Sequence, residues 1–263
     1  MYHKSVPDLS GKRILVSNDD GIDGPGLQVL MRVARSLSND VWVVVPDREQ
    51  SGTSHSLTLQ RPLRVRNVDE QVWTVNGTPT DSVLLAVHHI IKDKKPDLVL
   101  SGINRGANLG EDVTYSGTVA AAMEGVLLGI PSIALSQVYD QDVGVVHWAT
   151  AEAFAASVIG QLFSVGWPEH VLMNVNFPDV LPSSVVGIEV VRQGLHRVGD
   201  NLVERIDPRG VPYVWVGAQR AVEMPPPDTD LESISRGAIT VSPLRVDFTD
   251  YDVLQRMREN VLS

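Results

Sequence analysis

The chain contains no cysteine among its 263 residues. This absence excludes disulfides, thiolate metal sites and cysteine nucleophiles, so that a bound metal has to use oxygen or histidine ligands. It is compatible with a reducing compartment without establishing one.

Long hydrophobic runs and excess positive charge are also missing. The longest mostly apolar run, 119–135, is broken by Glu124 and Pro131, and no N-terminal apolar stretch follows a basic segment. We therefore expect a cytoplasmic protein with no membrane partner. The formal net charge of -10 argues against binding a nucleic acid polymer, since such binding depends on Lys and Arg that neutralise phosphates. A small anionic substrate would need a local positive site, such as a metal or a helix N-terminus.

Apolar strand-like runs alternate with helical patterns through the first two thirds of the chain, which predicts an α/β fold with a mostly parallel sheet. The predicted strands are 13–17, 41–46, 97–101, 132–135 and 171–177, and the predicted helices are 26–38, 80–91, 118–128 and 147–165. After Phe177 prolines punctuate short strand-like pieces at 186–191 and 213–216, which indicates an arm or a small subdomain. Thr229 and Glu232 have the spacing of a capping box, so a short helix is expected to begin there.

The pair Asp19-Asp20 directly follows the first predicted strand. Adjacent carboxylates repel each other, and if both stay ionised in a crevice, a divalent metal is the simplest group to hold them together. The alternative is a solvated Asp-Asp-Gly turn, which this segment alone favours.

Two more polar loops follow predicted strands, at 47–53 and 102–108. In open α/β sheets, ligands bind beyond the carboxyl ends of the strands. The carboxylate, hydroxyl and amide oxygens of the three loops suit Mg²⁺, Mn²⁺ or Ca²⁺ better than zinc or copper.

The third loop continues through Ser116, Gly117 and Thr118 into a predicted helix, which places free backbone N–H groups at a helix start. A metal beside such an anion site indicates a phosphate ester as substrate. Without the carboxylates, Ser116 and Thr118 are better explained by ordinary helix capping. His55, Arg48 and Arg105 lie in the same loops as candidates for phosphate contact, with a solvated surface position as the alternative for each.

Familiar nucleotide signatures are absent. The glycines from Gly21 to Gly26 lack the dinucleotide-binding spacing, and no Gly-rich run ends in Gly-Lys-Ser or Gly-Lys-Thr. A covalent aspartyl-phosphate enzyme would also place an aspartate after the first strand, but it usually needs a second acidic residue two positions on, whereas here the second is adjacent.

Several longer motifs occur in one order and together resemble the survival protein SurE family, over residues 13 to about 244. They are Ser17-Asn-Asp-Asp-Gly21, Pro46-Asp-Arg to Ser51-Gly52, Asn76-Gly-Thr-Pro-Thr-Asp81, Ser101-Gly-Ile-Asn104 and Tyr115-Ser-Gly-Thr-Val-Ala-Ala-Ala-Met-Glu124, with the later segments 229–230 and 240–244. The chain departs from the family pattern in a short N-terminal extension and in Asp23-Gly24.

The resemblance implies one α/β domain over 1–263 with a Rossmann-like three-layer sandwich, in which 178–263 include a C-terminal β-hairpin arm that joins protomers into a homodimer or homotetramer. It implies a metal-dependent phosphatase that hydrolyses nucleoside monophosphates as a 5'- and 3'-nucleotidase, with short polyphosphate as a further substrate.

The residue roles that the resemblance implies fall on eight positions. The ligands of one Mg²⁺ or Mn²⁺ would be Asp19, Asp20, Ser51 and Asn104, and the phosphate would bind at Asn108, Ser116, Gly117 and Thr118. We expect Asp19 or Asp20 to accept the proton of the attacking water as the catalytic base. A non-catalytic nucleotide-binding sensor is the alternative, since a fold and a crevice do not establish turnover.

Overall fold

The structure is a computed structural model, and it describes residues 8–140, 144–195, 202–216 and 225–261. Most of the N-terminal extension therefore lies outside the described residues. The strands within them are β1 (Arg13–Ser17), β2 (Asp40–Pro46), β3 (Val65–Asp69), β4 (Val72–Val75), β5 (Leu98–Arg105), β6 (Ser132–Gln137), β7 (Val171–Phe177), β8 (Ile188–Val190), β9 (Leu202–Ile206), β10 (Pro212–Val216) and β11 (Ile239–Arg245). The α-helices are α1 (Pro25–Leu37), α2 (Pro79–Leu85), α3 (Gly117–Leu127), α4 (Ala149–Ser164), α5 (Asp230–Ser235) and α6 (Tyr251–Val261).

Nine strands form one sheet in the order β3-β4-β2-β1-β5-β6-β7-β11-β8. Every pair from β4 to β7 is parallel, and so is β11 with β8, whereas β3/β4 and β7/β11 are antiparallel. The order along the chain reverses between β1 and β5, so the crevice expected to bind a ligand lies at the carboxyl ends of these two strands. The predicted α/β class with a mostly parallel, Rossmann-like sheet is confirmed.

Helices cover both faces of the sheet. The face of Ile14 and Val16 packs against α1 and α4, whereas Leu15 and Val99 face the side of α2 and α3. Because the central strands are buried on both faces, they read as nearly continuous apolar runs, which is why all five were predicted. The three layers agree with the expected sandwich.

The prediction missed an edge hairpin, the last strand of the sheet and the last helix. Strands β3 and β4 form the edge hairpin, and the residues of β3 are exposed after Val65, so they show no buried apolar face. Strand β11 was missed because it contains Pro243, and proline is rare in central strands. The proline is tolerated because β8 pairs only with Ile239 to Val241, so no hydrogen bond to β8 is needed at position 243.

The C-terminal hairpin implied by the resemblance is present. Strands β9 and β10 pair antiparallel in a sheet of their own. The expected short helix is α5, whose N-cap Thr229 accepts a hydrogen bond from the Glu232 N–H. Helix α6 was not expected, because its described side chains are almost all exposed and bury no apolar stripe. No helix among the described residues is long and apolar enough to cross a bilayer.

Candidate metal and phosphate site

Asp19 lies at the carboxyl end of β1, where its side chain is buried against the first turn of α3. The Thr118 hydroxyl donates a short hydrogen bond to Asp19 Oδ1. A Cβ on Gly117 would come within 2.8 Å of Asp19 Cβ and 2.9 Å of Asp19 Oδ2, so only glycine allows the helix to start this close to the carboxylate. The predicted phosphate-binding turn is thus in contact with a predicted metal ligand.

Burial makes both adjacent carboxylates hard to ionise in the absence of a cation. Desolvation raises the pKa of Asp19 to about 6, and the charge of Asp20 adds to the rise, while the Thr118 hydrogen bond opposes it. Desolvation also raises the pKa of Asp20, opposed by the backbone N–H and the charge of Arg105 and reinforced by the charge of Glu49. A divalent cation placed between the two carboxylates would remove this penalty.

The loop that carries Ser51 is attached to the same place. The Gln50 N–H donates to the Asp19 carbonyl oxygen over 2.8 Å. The exposed Ser51 hydroxyl donates to Glu49 Oε1 over 2.9 Å. A hydroxyl that donates its proton in this way keeps its lone pairs for a metal, so Glu49 can orient Ser51 as a ligand.

Asn104 lies at an irregularity near the end of β5. The register with β6 shifts between Ser101 and Asn104, and the backbone N–H of the next residue, Arg105, donates to Asp20. The Asn104 Nδ2 atom donates to the Gly106 carbonyl oxygen over 3.1 Å. This fixes the amide orientation and leaves Oδ1 as the atom that can coordinate a metal.

The predicted ligands offer two carboxylates, one hydroxyl and one amide oxygen. The described residues contain no group of three or more His, Cys, Asp or Glu side chains that could hold a metal. A zinc site of the usual nitrogen or sulfur ligands is therefore not formed there, whereas hard oxygen ligands with unpaired buried charge fit Mg²⁺ or Mn²⁺.

The predicted phosphate-binding residues lie at the start of α3 and in the segment before it. Ser116 caps α3 by accepting from the Val119 N–H over 3.1 Å, so the capping interpretation of this residue holds beside the phosphate prediction. The buried Asn108 donates through Nδ2 to the Ser136 hydroxyl over 2.7 Å. The positive end of the α3 dipole points toward Asp19 and the crevice, as an anion site requires.

The other loop candidates have different neighbours. His55 Nε2 lies 3.0 Å from Glu124 Oε2 on α3, so the histidine is exposed to solvent and also contacts the helix. The Arg105 guanidinium lies over the Tyr139 ring at 5.0 Å, and Arg48 is exposed.

Sequence reasoning missed Glu49 and Glu124 as contributors to the site. A buried charge within an apolar helix signals a partner, so Glu124 in the run 119–135 was detectable in principle. Glu49 carries no such signal, because an acidic residue in a polar loop is ordinary.

Replacing the buried carboxylate should stabilise the metal-free protein. The folded pKa of Asp19 is raised, so the protein loses stability as pH rises from about 4 to about 6 and bears the full penalty above that. With a chelator present at pH 8, Asp19→Asn should raise the free energy of unfolding by about 2–3 kcal/mol, measured by urea denaturation, and the gain should vanish below pH 4. Added Mn²⁺ should raise the Tm of the wild type but not of the variant. A variant that is less stable than the wild type at pH 8 would contradict this account of the site.

The contact between His55 and Glu124 should hold the Ser51 loop in place. Ser54 also attaches this loop, because its hydroxyl donates to the Thr114 carbonyl oxygen over 2.7 Å. We expect His55→Ala to weaken Mn²⁺ binding roughly fivefold in isothermal titration calorimetry, since loosening the loop costs about 1 kcal/mol. The matched control is His88→Ala, at an exposed histidine in the π-helical turn Ala86–Ile90 that follows α2. Equal affinities in both variants would show that the contact has no such role.

Comparison with known proteins shows the family of the chain. A model of the survival protein SurE family matches residues 14–200. The protein named 5'-nucleotidase SurE from Paramagnetospirillum magneticum is 60% identical over 257 residues, which cover 98% of each chain. The protein of the same name from Rhodospirillum rubrum is 55% identical over 254 residues, 96% of this chain and 97% of the relative.

The fold is shared with a solved structure as well. The crystal structure of the SurE protein from Aquifex aeolicus superposes with a TM-score of 0.82 at 40% identity and covers 94% of this chain and 98% of that chain. The chain therefore belongs to the survival protein SurE family.

Proposed function

We propose that this protein is a divalent-metal-dependent phosphatase that hydrolyses nucleoside monophosphates. The observation that carries the proposal is the contact of a buried carboxylate with a raised pKa, Asp19, against the N-terminus of α3. The contact supports a cation site next to an anion site, and a metal-bound phosphate ester would occupy both. The nucleotidase activity itself follows relatives named 5'-nucleotidase SurE.

Asp19, Asp20, Ser51 and Asn104 would hold one Mg²⁺ or Mn²⁺. When bound, this ion supplies charge neutralisation at the phosphoryl oxygens and lowers the pKa of a water. The Val119 N–H is taken by Ser116 and the Thr118 N–H by Asp19, so the Gly117 N–H and the side chain of Asn108 would hold the phosphate oxygens as charge develops on them.

The proton of the attacking water goes to Asp20 in this proposal. Thr118 already donates to Asp19, which is 4% exposed, whereas Asp20 is only partly buried. Asp20 is therefore the carboxylate that water can approach more easily. The same site would accept 5'- and 3'-monophosphates and the end of a short polyphosphate, because it recognises the phosphoryl group rather than the base.

Phosphate release should require both the ion and Asp20. We expect purified protein with Mn²⁺ to release phosphate from AMP, a chelator to abolish this, and Asp20→Asn to lower kcat about a thousandfold, since it removes a ligand and the base together. Asp23→Asn is the matched control, because it makes the same change at an exposed position in the same loop. Binding of AMP without phosphate release by the wild type would favour the nucleotide sensor over the phosphatase.

The hairpin of β9 and β10 supports a homodimer or homotetramer. Its large apolar side chains are exposed, and they include Leu202, Ile206, Tyr213, Val214, Trp215 and Val216. An isolated two-stranded hairpin with so much apolar surface is unstable in water and is typical of an interface.

Disruption of this surface should change the oligomeric state. We expect Trp215→Glu, at a position 63% exposed in the isolated chain, to reduce the molar mass in light scattering to that of a smaller species. Val68→Glu is the control, since it adds the same charge at an exposed position on edge strand β3. An unchanged molar mass for Trp215→Glu would place the interface elsewhere.

A further inference from the structure

Gly110 lies between the predicted phosphate-binding residues Asn108 and Ser116, and both of its backbone polar groups are held by side chains from a distant part of the chain. The Asp230 Oδ2 atom accepts from the Gly110 N–H over 2.9 Å. The Gln193 Nε2 atom donates to the Gly110 carbonyl oxygen over 2.8 Å. These two bonds form a clasp on the loop.

The clasp residues lie at the two ends of the hairpin arm. Gln193 and Gly194 precede β9, and Asp230 follows β10. Asp230 joins these ends, because its Oδ1 atom accepts from the Gly194 N–H over 2.7 Å and from the Leu231 N–H over 2.9 Å. The carboxylate is fully buried, and its two oxygens accept hydrogen bonds from the backbone N–H groups of Gly110, Gly194 and Leu231.

Buried asparagines brace the same loop on its other side. The Asn176 Oδ1 atom accepts from the Asn108 N–H over 2.9 Å, and the Nδ2 atoms of Asn174 and Asn176 donate to the Asn108 carbonyl oxygen. With the sheet fixing Asn108 and the arm fixing Gly110, the path from Asn108 to the start of α3 has few ways to relax.

We propose that Asp230 and Gln193 are positioning residues for substrate phosphate, and that through them the base of the arm sets the affinity for substrate. This inference rests on the proposed function, since it assigns Asn108 and the start of α3 to the phosphate. The predicted metal ligands come from the ends of β1 and β5 and from the loop after β2, which carries Ser51. The two clasp residues contact none of these segments. A loosened clasp therefore weakens phosphate binding and leaves metal binding intact.

Asp230→Asn removes the hydrogen bond between the Gly110 N–H and the side chain at position 230. The amide oxygen of the variant keeps the two donors Gly194 and Leu231, which places the NH₂ group against the Gly110 N–H and breaks that bond alone. Gln193→Met breaks the other bond, because it keeps the length of the side chain without a donor. It also carries the test if Asp230→Asn does not fold.

The measurement compares KM and kcat for AMP, Mn²⁺ affinity and hydrogen exchange of 108–116 in the holoenzyme and its variants. We expect each variant to raise KM roughly tenfold, as loss of one buried hydrogen bond allows, with kcat and Mn²⁺ affinity changed less than about twofold. Exchange in 108–116 should accelerate. Asp97→Asn is the control, because Asp97 also accepts a backbone N–H, that of Arg13 over 2.8 Å, at the opposite end of the sheet.

The outcomes separate this inference from the proposed function. An unchanged KM in both variants, a proportional loss of Mn²⁺ affinity, or an equal rise of KM in Asp97→Asn would overturn the clasp as a positioning device. Absence of phosphate release by the wild type would overturn the proposed function instead. In that case the affinity of the Mn²⁺-loaded protein for inorganic phosphate is measured instead. A weaker affinity in both variants would support the clasp as a positioning device, and an unchanged affinity would overturn it.

Discussion

The contact between the first turn of α3 and the Asp19 side chain is the constraint on which the site depends. It brings a buried carboxylate next to the positive end of a helix, and it is possible only because Gly117 has no side chain. The helix and the Thr118 hydroxyl offset part of the desolvation of Asp19, but its pKa still rises to about 6. The ionised form of Asp19 is therefore unfavourable in the absence of a cation. Binding of a cation there would relieve this cost, so the strain of the metal-free site would add to metal affinity.

The remaining parts of the site converge because the strand order reverses between β1 and β5. Asp20 follows β1 and Asn104 ends β5, and the Arg105 N–H links the two strand ends by donating to Asp20. Ser51 comes from the loop after β2, the neighbour of β1 on its other side, and is attached through the Gln50 N–H to Asp19. Three adjacent parallel strands thus deliver all the predicted metal ligands to one edge of the sheet.

How far the sequence predicts this arrangement depends on burial. The central strands and the helices on both faces bury apolar side chains in regular patterns, so these elements were predictable. The apolar periodicity of 80–91 predicts one helix, whereas the structure has α2 followed by a π-helical turn at Ala86–Ile90. Periodicity alone does not distinguish the α-helical from the π-helical hydrogen-bond pattern. Edge strand β3 buries little, and therefore no pattern in its residues predicts it.

The long-range hydrogen bonds of the site are harder to predict, because they join residues whose separation along the chain carries no periodic signal. Asp230 illustrates this limit. Its place after Thr229 predicts a helix cap, and it does lie in the first turn of α5, yet its carboxylate also holds Gly110, which lies 120 positions away. Backbone N–H groups at the start of a short helix have no partner within it, and such side chains satisfy them. The segment from Asn108 to Ser116 contains a 3₁₀ helix at Gly110–Thr114, and its start is held by β7 and by the base of the arm. The same requirement makes the predicted phosphate site dependent on the two chain segments that flank the hairpin of β9 and β10.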